Sequence, residues 1–238
     1  MFAIIGGTGF YKLGKKVDEL DVLTHYGTAR VSVVSFAGQK IVFIPRHGEK
    51  HELPPHKINY RANIASLKKL NVNGVISIYS AGIISKYKPG DFIMLDDFIG
   101  LWAPATFHDN FFGGIRHTDF SAPFSEKMRK KIYEVAAVEK LGLKKGGIIA
   151  TTPGPRFETK TEVKALKKMG ANLVNMTAAY EMTLLGEAEI DFAAIAVASN
   201  YAAGISKKPL SAEQTLETMA KAKTKIENLV SGVLREIN

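Results

Sequence analysis

Cysteine is absent from this 238-residue chain, which excludes disulfides and thiolate–metal sites and fits a reducing compartment. No apolar run approaches the roughly 18 residues that a bilayer span requires. The opening Met1-Phe2-Ala3-Ile4-Ile5 runs straight into a glycine turn, unlike a signal peptide. The expected location is the cytoplasm, without a membrane partner. Acidic residues are outnumbered, 23 Asp and Glu against 32 Lys and Arg, for a formal charge of +9. That balance fits nucleic acid, acidic small substrates or a solvated lysine-rich surface. Lysines in helix-like stretches such as 127–131 and 164–168 fit the last. No RNA-recognition, zinc-finger or helix-turn-helix signature accompanies the charge, so nucleic acid is not an expected partner. Also missing are a Walker lysine, the third glycine of a dinucleotide fingerprint (Lys12 stands there) and a helical His-Glu-x-x-His pattern. No metal and no cofactor are expected.

What remains is an alternation of short apolar runs and amphipathic stretches. Strand-like segments lie at 2–5, 29–36, 40–44, 74–79, 92–95, 147–151, 172–175 and 192–199, several of them continuously apolar as in doubly covered strands. Helical patterns fall at 58–70, 125–141, 158–169, 178–189 and 211–237. Ser125 suits a helix start, and Gly142 and Gly170 suit helix ends that need positive φ. The alternation predicts one α/β domain over 1–238, a mixed or parallel sheet flanked by helices. The least regular stretch, 100–123, holds Trp102, Phe107, Phe111, Phe112 and His117. Its aromatics pack locally or form a lid or subunit contact.

Polar residues collect where strands end. Gly6-Gly7-Thr8-Gly9 follows an apolar strand and reads as a tight turn or as an anion site with Thr8 as donor. Arg46-His47 ends another strand; arginine offers a planar fork to phosphate and histidine a further donor, although a surface Arg beside a buried His is equally ordinary. His47, His51 and His56 lack the carboxylate pattern of a metal site. Tyr79-Ser80-Ala81-Gly82 is a third such end, and ligands of α/β sheets bind at carboxyl ends of strands. Glu158, after Pro153-Gly154-Pro155, is either a first-turn glutamate favoured by the helix dipole or an acceptor for the N1–H of a 6-oxopurine. Asn200 can pair with N7 and O6 of the same ring.

These residues resemble the trimeric purine nucleoside phosphorylase and methylthioadenosine phosphorylase family over nearly the whole chain. The most specific pieces are Arg46-His47-Gly48 with Asn59-Tyr60-Arg61-Ala62-Asn63, Pro89-Gly90-Asp91, Gly154-Pro155-Arg156-Phe157-Glu158-Thr159, and Gly170-Ala171 with Asn175-Met176-Thr177. The resemblance implies an α/β purine nucleoside phosphorylase-like fold with a central mixed sheet, and inorganic phosphate as co-substrate. It implies phosphate held by Thr8, Arg46, His47 and Thr177, with the Tyr79-Ser80 strand end beside it. It further implies Phe157 packed on purine and sugar, and Met176 touching the ribose hydroxyls. His117 is implied to enter a neighbouring subunit's 5′ pocket in a homotrimer or a dimer of trimers.

Departures from the family pattern narrow the substrate. Adenine-specific members carry Asp-Tyr-Asp where this chain has Asn200, Tyr201 and Ala202, and a small residue where Glu158 stands. Glu158 with Asn200 therefore predicts a 6-oxopurine, since an amide can donate where a carboxylate can only accept. A threonine common at the Tyr79 position is missing, leaving a backbone contact to phosphate. Ala212 falls where hydroxyl-preferring members place a histidine, so 5′-methylthioinosine joins inosine and guanosine as expected substrates. The alternatives are a methylthioadenosine phosphorylase and an inactive nucleotide- or RNA-binding protein of the same fold.

Overall fold

The computed structural model describes residues 1–207 and 209–236. In chain order the elements are β1 (Phe2–Gly6), β2 (Lys15–Thr24), β3 (Gly27–Phe36), β4 (Gln39–Pro45), a 3₁₀ turn (Pro55–Lys57), α1 (Tyr60–Lys69) and β5 (Gly74–Ile83). There follow β6 (Phe92–Ile99), α2 (Glu126–Val138), β7 (Leu143–Thr151), α3 (Lys160–Lys168), β8 (Leu173–Asn175), α4 (Ala178–Glu187), β9 (Asp191–Tyr201) and α5 (Ala212–Glu236). The helical pattern at 211–237 is realised as α5, with Ile237 outside the described residues. Gly170 takes positive φ just past the C-cap of α3, as expected, whereas α2 ends earlier and is closed by Lys140 at a φ of 52°, with Gly142 lying beyond it in the connection to β7.

One strand, β2, has no counterpart in the apolar pattern. Only Val22 of its residues is buried, with Leu20 beside it partly covered, because this edge strand is mostly open to water and packs on the core through one short stretch of one face. It is a strand through its antiparallel ladder with β3, from Lys15↔Ser35 to Thr24↔Gly27, and its charged side chains keep that open edge from pairing with other chains.

The nine strands form one mixed sheet, in the order β2-β3-β4-β1-β5-β8-β7-β6-β9, and β9 also pairs with β5. The second half of the sheet thus closes on itself. Parallel pairing joins β1 to β4 and β5, and β5 to β9. Four carboxyl ends are therefore brought to one rim. A right-handed crossover is what parallel neighbours demand, and the helices that provide the crossovers cover both faces. Ile64 and Leu67 of α1 with Met182 and Leu185 of α4 fill one core layer. Met128 and Ile132 of α2 with Met219, Ile226, Val230 and Val233 of α5 fill the other. Each such large side chain contributes roughly 1.5–3 kcal/mol on burial, so the rim stands on a rigid base.

Candidate active site

A cavity of about 630 Å³ opens at that rim, and eleven of the thirteen residues expected from the sequence line it: Thr8, Arg46, His47, Ser80, Phe157, Glu158, Met176, Thr177, Asn200, Ala202 and Ala212. Register explains the convergence. Gly6 is paired with Pro45, which sets Thr8 beside Arg46 as the two strands run out. Ala81 pairs with Ala198 and Gly82 with Asn200, so Ser199 is the extra residue of a bulge that re-aims Asn200 into the cavity.

Arg46 is 2% exposed and does not offer its fork to the cavity. Nε and Nη2 donate to the two oxygens of Glu181 at 2.7 and 3.0 Å, and Nη1 donates to the Ile78 carbonyl at 2.8 Å. The bidentate partner is thus a carboxylate of α4, not phosphate. Burial works against the guanidinium charge, but Glu181 outweighs it and keeps the pKa raised. What Arg46 can offer the cavity that it lines is its positive charge. Gly7 admits it: a Cβ on Gly7 would lie 2.0 Å from Nη1. Tyr79 is corrected in the same way. It does not line the cavity; its wholly buried ring lies 4.4 Å from the guanidinium and its hydroxyl donates to Glu181 at 2.8 Å.

His47 is also not the donor the sequence suggested. Its Nδ1 lies 2.8 Å from the Leu53 carbonyl, which can only accept, so Nδ1 carries the proton. Burial, then Arg46 and His51, push its pKa down to about 4 against the Leu53 carbonyl, which favours the charged form. At neutral pH, Nε2 is an acceptor. The His51 ring stacks on it at 4.4 Å, and the Tyr11 hydroxyl meets His51 Nδ1 at 2.7 Å. Both residues line the cavity, and nothing in the sequence pattern marked Tyr11.

Thr177 caps α4, but the capping is done by its neighbour. Asn175 Oδ1 accepts the amides of Thr177 and Ala178 at 3.3 and 3.1 Å, and Asn175 Nδ2 donates to the Thr177 hydroxyl at 3.3 Å. The Thr177 hydroxyl keeps its own proton for a ligand. Thr8, Ser80 and Thr177 thus bring three hydroxyls to the cavity lining.

The two base-reading candidates line the same cavity. α3 begins after Glu158: Thr159 is its N-cap and forms a capping box with Glu162. Glu158 is therefore not a first-turn glutamate, and the helix-dipole reading of it fails. It is 7% exposed and accepts from the Thr152 hydroxyl at 2.6 Å, which leaves its second oxygen for a ligand. Asn200 Nδ2 donates to the Tyr201 carbonyl at 3.2 Å, and its Oδ1 accepts from the hydroxyls of Ser199 at 2.7 Å and Thr215 at 3.2 Å. An acceptor and a donor-bearing amide, both buried, face one space.

A family model described as the phosphorylase superfamily matches residues 1–235. The chain belongs to that superfamily. A probable 6-oxopurine nucleoside phosphorylase of Moorella thermoacetica is 40% identical, over 99% of this chain and 94% of that protein. A probable S-methyl-5′-thioinosine phosphorylase of Methanopyrus kandleri is 34% identical, over 98% and 91%. Among solved structures, methylthioadenosine phosphorylase from Schistosoma mansoni in complex with adenine is similar at a TM-score of 0.90 and 28% identity, over 99% of this chain and 91% of that one.

Within this phosphorylase chain the remaining expected residues sort by place. Phe157 is 41% exposed at the cavity mouth, where an aromatic face is free to cover a ligand. Ala212, Leu210 and Leu216 give an apolar wall from the start of α5. His117 lies outside the chain's own cavity, edge-on to Phe111 with ring centroids 5.9 Å apart. In the same stretch Phe107 packs on Tyr26, whereas Phe112 and Ile115 stand open to solvent. Glu181 escaped sequence reasoning because a carboxylate in an ordinary helical turn carries no mark until its arginine is seen.

Proposed function

We propose that this protein is a purine nucleoside phosphorylase that cleaves 6-oxopurine nucleosides, inosine, guanosine and 5′-methylthioinosine, with inorganic phosphate to give the free base and a sugar 1-phosphate. One observation carries the reading: acceptor-only Glu158 and the amide of Asn200, whose Nδ2 is pinned by an acceptor-only carbonyl, are both buried and line one cavity. A keto purine matches both, presenting N1–H to Glu158 and O6 and N7 to Asn200.

Phosphate sits among the hydroxyls of Thr8, Ser80 and Thr177, within the field of Arg46. Its own O–H donates to His47 Nε2, which selects a protonated phosphate oxygen and leaves the others negative. Placed beneath the sugar, the anion stabilises the positive charge that develops at C1′ as the glycosidic bond breaks, and then attacks that carbon. The purine leaves with negative charge, which Asn200 stabilises by donating towards N7 or O6. Met176 touches the ribose and Phe157 covers the ring system. Catalysis is positioning plus electrostatics, and the reaction uses no cofactor, metal, nucleic acid or membrane partner. The apolar wall of Ala212, Leu210 and Leu216 favours a 5′-methylthio group. The exposed apolar residues around Phe112 and Ile115 support a homotrimer, or a dimer of trimers, in which His117 serves a neighbour's site; the enzyme works in the cytoplasm.

Phosphate-dependent base release from inosine, guanosine, adenosine and the two methylthio nucleosides tests this. The 6-oxo substrates should lead, and Asn200→Asp should shift preference towards adenosine. Preference for adenine nucleosides in the wild type would identify a methylthioadenosine phosphorylase instead. Release from none, with salt-sensitive RNA binding, would identify a binding protein.

A further inference from the structure

An asparagine side chain has two polar ends of nearly equal size, and turning it over exchanges a donor for an acceptor. Asn200 can read a keto purine only while its nitrogen faces the ligand. The surroundings of the amide determine which end that is. The Tyr201 carbonyl holds Nδ2 at 3.2 Å, spending one of its two protons and leaving the other for a ligand. The opposite end, Oδ1, meets two hydroxyls. That of Ser199 has a single proton and two acceptors in reach, Oδ1 at 2.7 Å and the Ala81 carbonyl at 3.2 Å, so it is an uncommitted donor. The Thr215 hydroxyl donates to Oδ1 at 3.2 Å.

Thr215 belongs to α5, not to the sheet. One turn later the Thr218 hydroxyl, with its single proton, has the Ser199 carbonyl and the Gln214 carbonyl of its own helix each at 3.0 Å. The Thr215 hydroxyl therefore fastens the start of α5 to the bulge that presents Asn200, and Thr218 stands beside the same bulge. The same start of α5 carries Ala212 and Leu216, which wall the sugar end of the cavity. One helix thus touches the amide that reads the base and the surface that meets the sugar.

We propose that Thr215 is a positioning and specificity-determining residue: the acceptor-only Tyr201 carbonyl sets which end of the Asn200 carboxamide is nitrogen, and the Thr215 hydroxyl holds the opposite end in place, so that the choice of a 6-oxo over a 6-amino purine depends on α5 being seated. This rests on Asn200 being the base reader. Without the Thr215 hydroxyl, and with the Ser199 hydrogen free to turn to Ala81, the amide is held at its Nδ2 end alone. A turned amide would present Oδ1, which accepts from a 6-amino group.

The test compares kcat/KM for inosine and adenosine in the wild type and in Thr215→Val, Thr215→Ser and Thr215→Val combined with Asn200→Ala. Thr215→Val keeps the shape and removes the hydroxyl; the inosine-to-adenosine ratio should fall about 5-fold, the scale of one neutral hydrogen bond. Thr215→Ser should restore the ratio, and on the Asn200→Ala background Thr215→Val should leave it unchanged. If Thr215→Val does not fold, Thr215→Ala supplies the same comparison. A ratio within twofold of wild type in the folded hydroxyl-less variant overturns the proposal, as does an equal drop on the Asn200→Ala background. A wild type that cleaves neither inosine nor guanosine sinks the base-reader reading itself and this inference with it, and that is seen before any variant is made.

Discussion

Replacing Glu181 by glutamine keeps the size of the side chain and removes one charge from a place with almost no water. Arg46 and Glu181 are 1% and 2% exposed at their side chains, and the guanidinium has no other carboxylate among its hydrogen-bond partners. Breaking a buried pair by removing one partner costs about 3–5 kcal/mol, because the remaining charge is left uncompensated. For a chain of this length that corresponds to a fall in Tm of about 6–20 °C. The Tyr79 hydroxyl keeps an amide oxygen as acceptor, so the loss belongs mainly to the charge. Thermal unfolding measures this directly, and initial rates against phosphate concentration should show a raised KM for phosphate as Arg46 drifts. The paired change Arg46→Met with Glu181→Leu should recover much of the stability, since apolar replacement of a buried pair is often neutral or better. It leaves Tyr79 without its acceptor at a cost of about 1–3 kcal/mol, and it should not recover phosphorolysis. A Glu181→Gln protein melting within about 2 °C of wild type, with unchanged KM for phosphate, would refute the reasoning.

His47 gives the fold an acid sensitivity. The unfolded chain takes up its proton near the ordinary 6.5, and the native one only near 4. Stability is therefore intact above that upper value and falls as pH drops towards the lower one, by up to about 3 kcal/mol at about 1.4 kcal/mol per pH unit. Urea midpoints across this range should decline in the wild type and flatten in His47→Gln; parallel slopes would contradict the assignment. Gly7→Ala would place a methyl against Arg46 Nη1. It should cost about 1–3 kcal/mol as overpacking and raise the KM for phosphate, and an unaltered Tm and KM would show that the guanidinium has room to move.

Much of this protein follows from local pattern. Continuous apolar runs such as 74–79 and 192–199 are strands because a strand covered on both faces has no polar side to show. β2 was invisible to that logic, since an edge strand that buries only Val22 takes its identity mainly from hydrogen bonds to β3. The helix at 158–169 begins two residues late, because the Thr159–Glu162 capping box outweighs the carboxylate of Glu158 as a start signal.

The motifs that hold Thr8, Arg46, His47, Glu158, Thr177 and Asn200 were enough to show the resemblance to a phosphorylase family, and Thr8, Arg46, His47 and Asn200 meet because they lie at or just past the ends of parallel strands. What each of them does was decided in three dimensions. Whether Arg46 forks onto phosphate or Glu181, whether His47 donates or accepts, and which end of Asn200 meets a ligand all depend on partners distant in sequence. Charge, tautomer and amide orientation are set by those neighbours and by burial, and a list of residues contains neither.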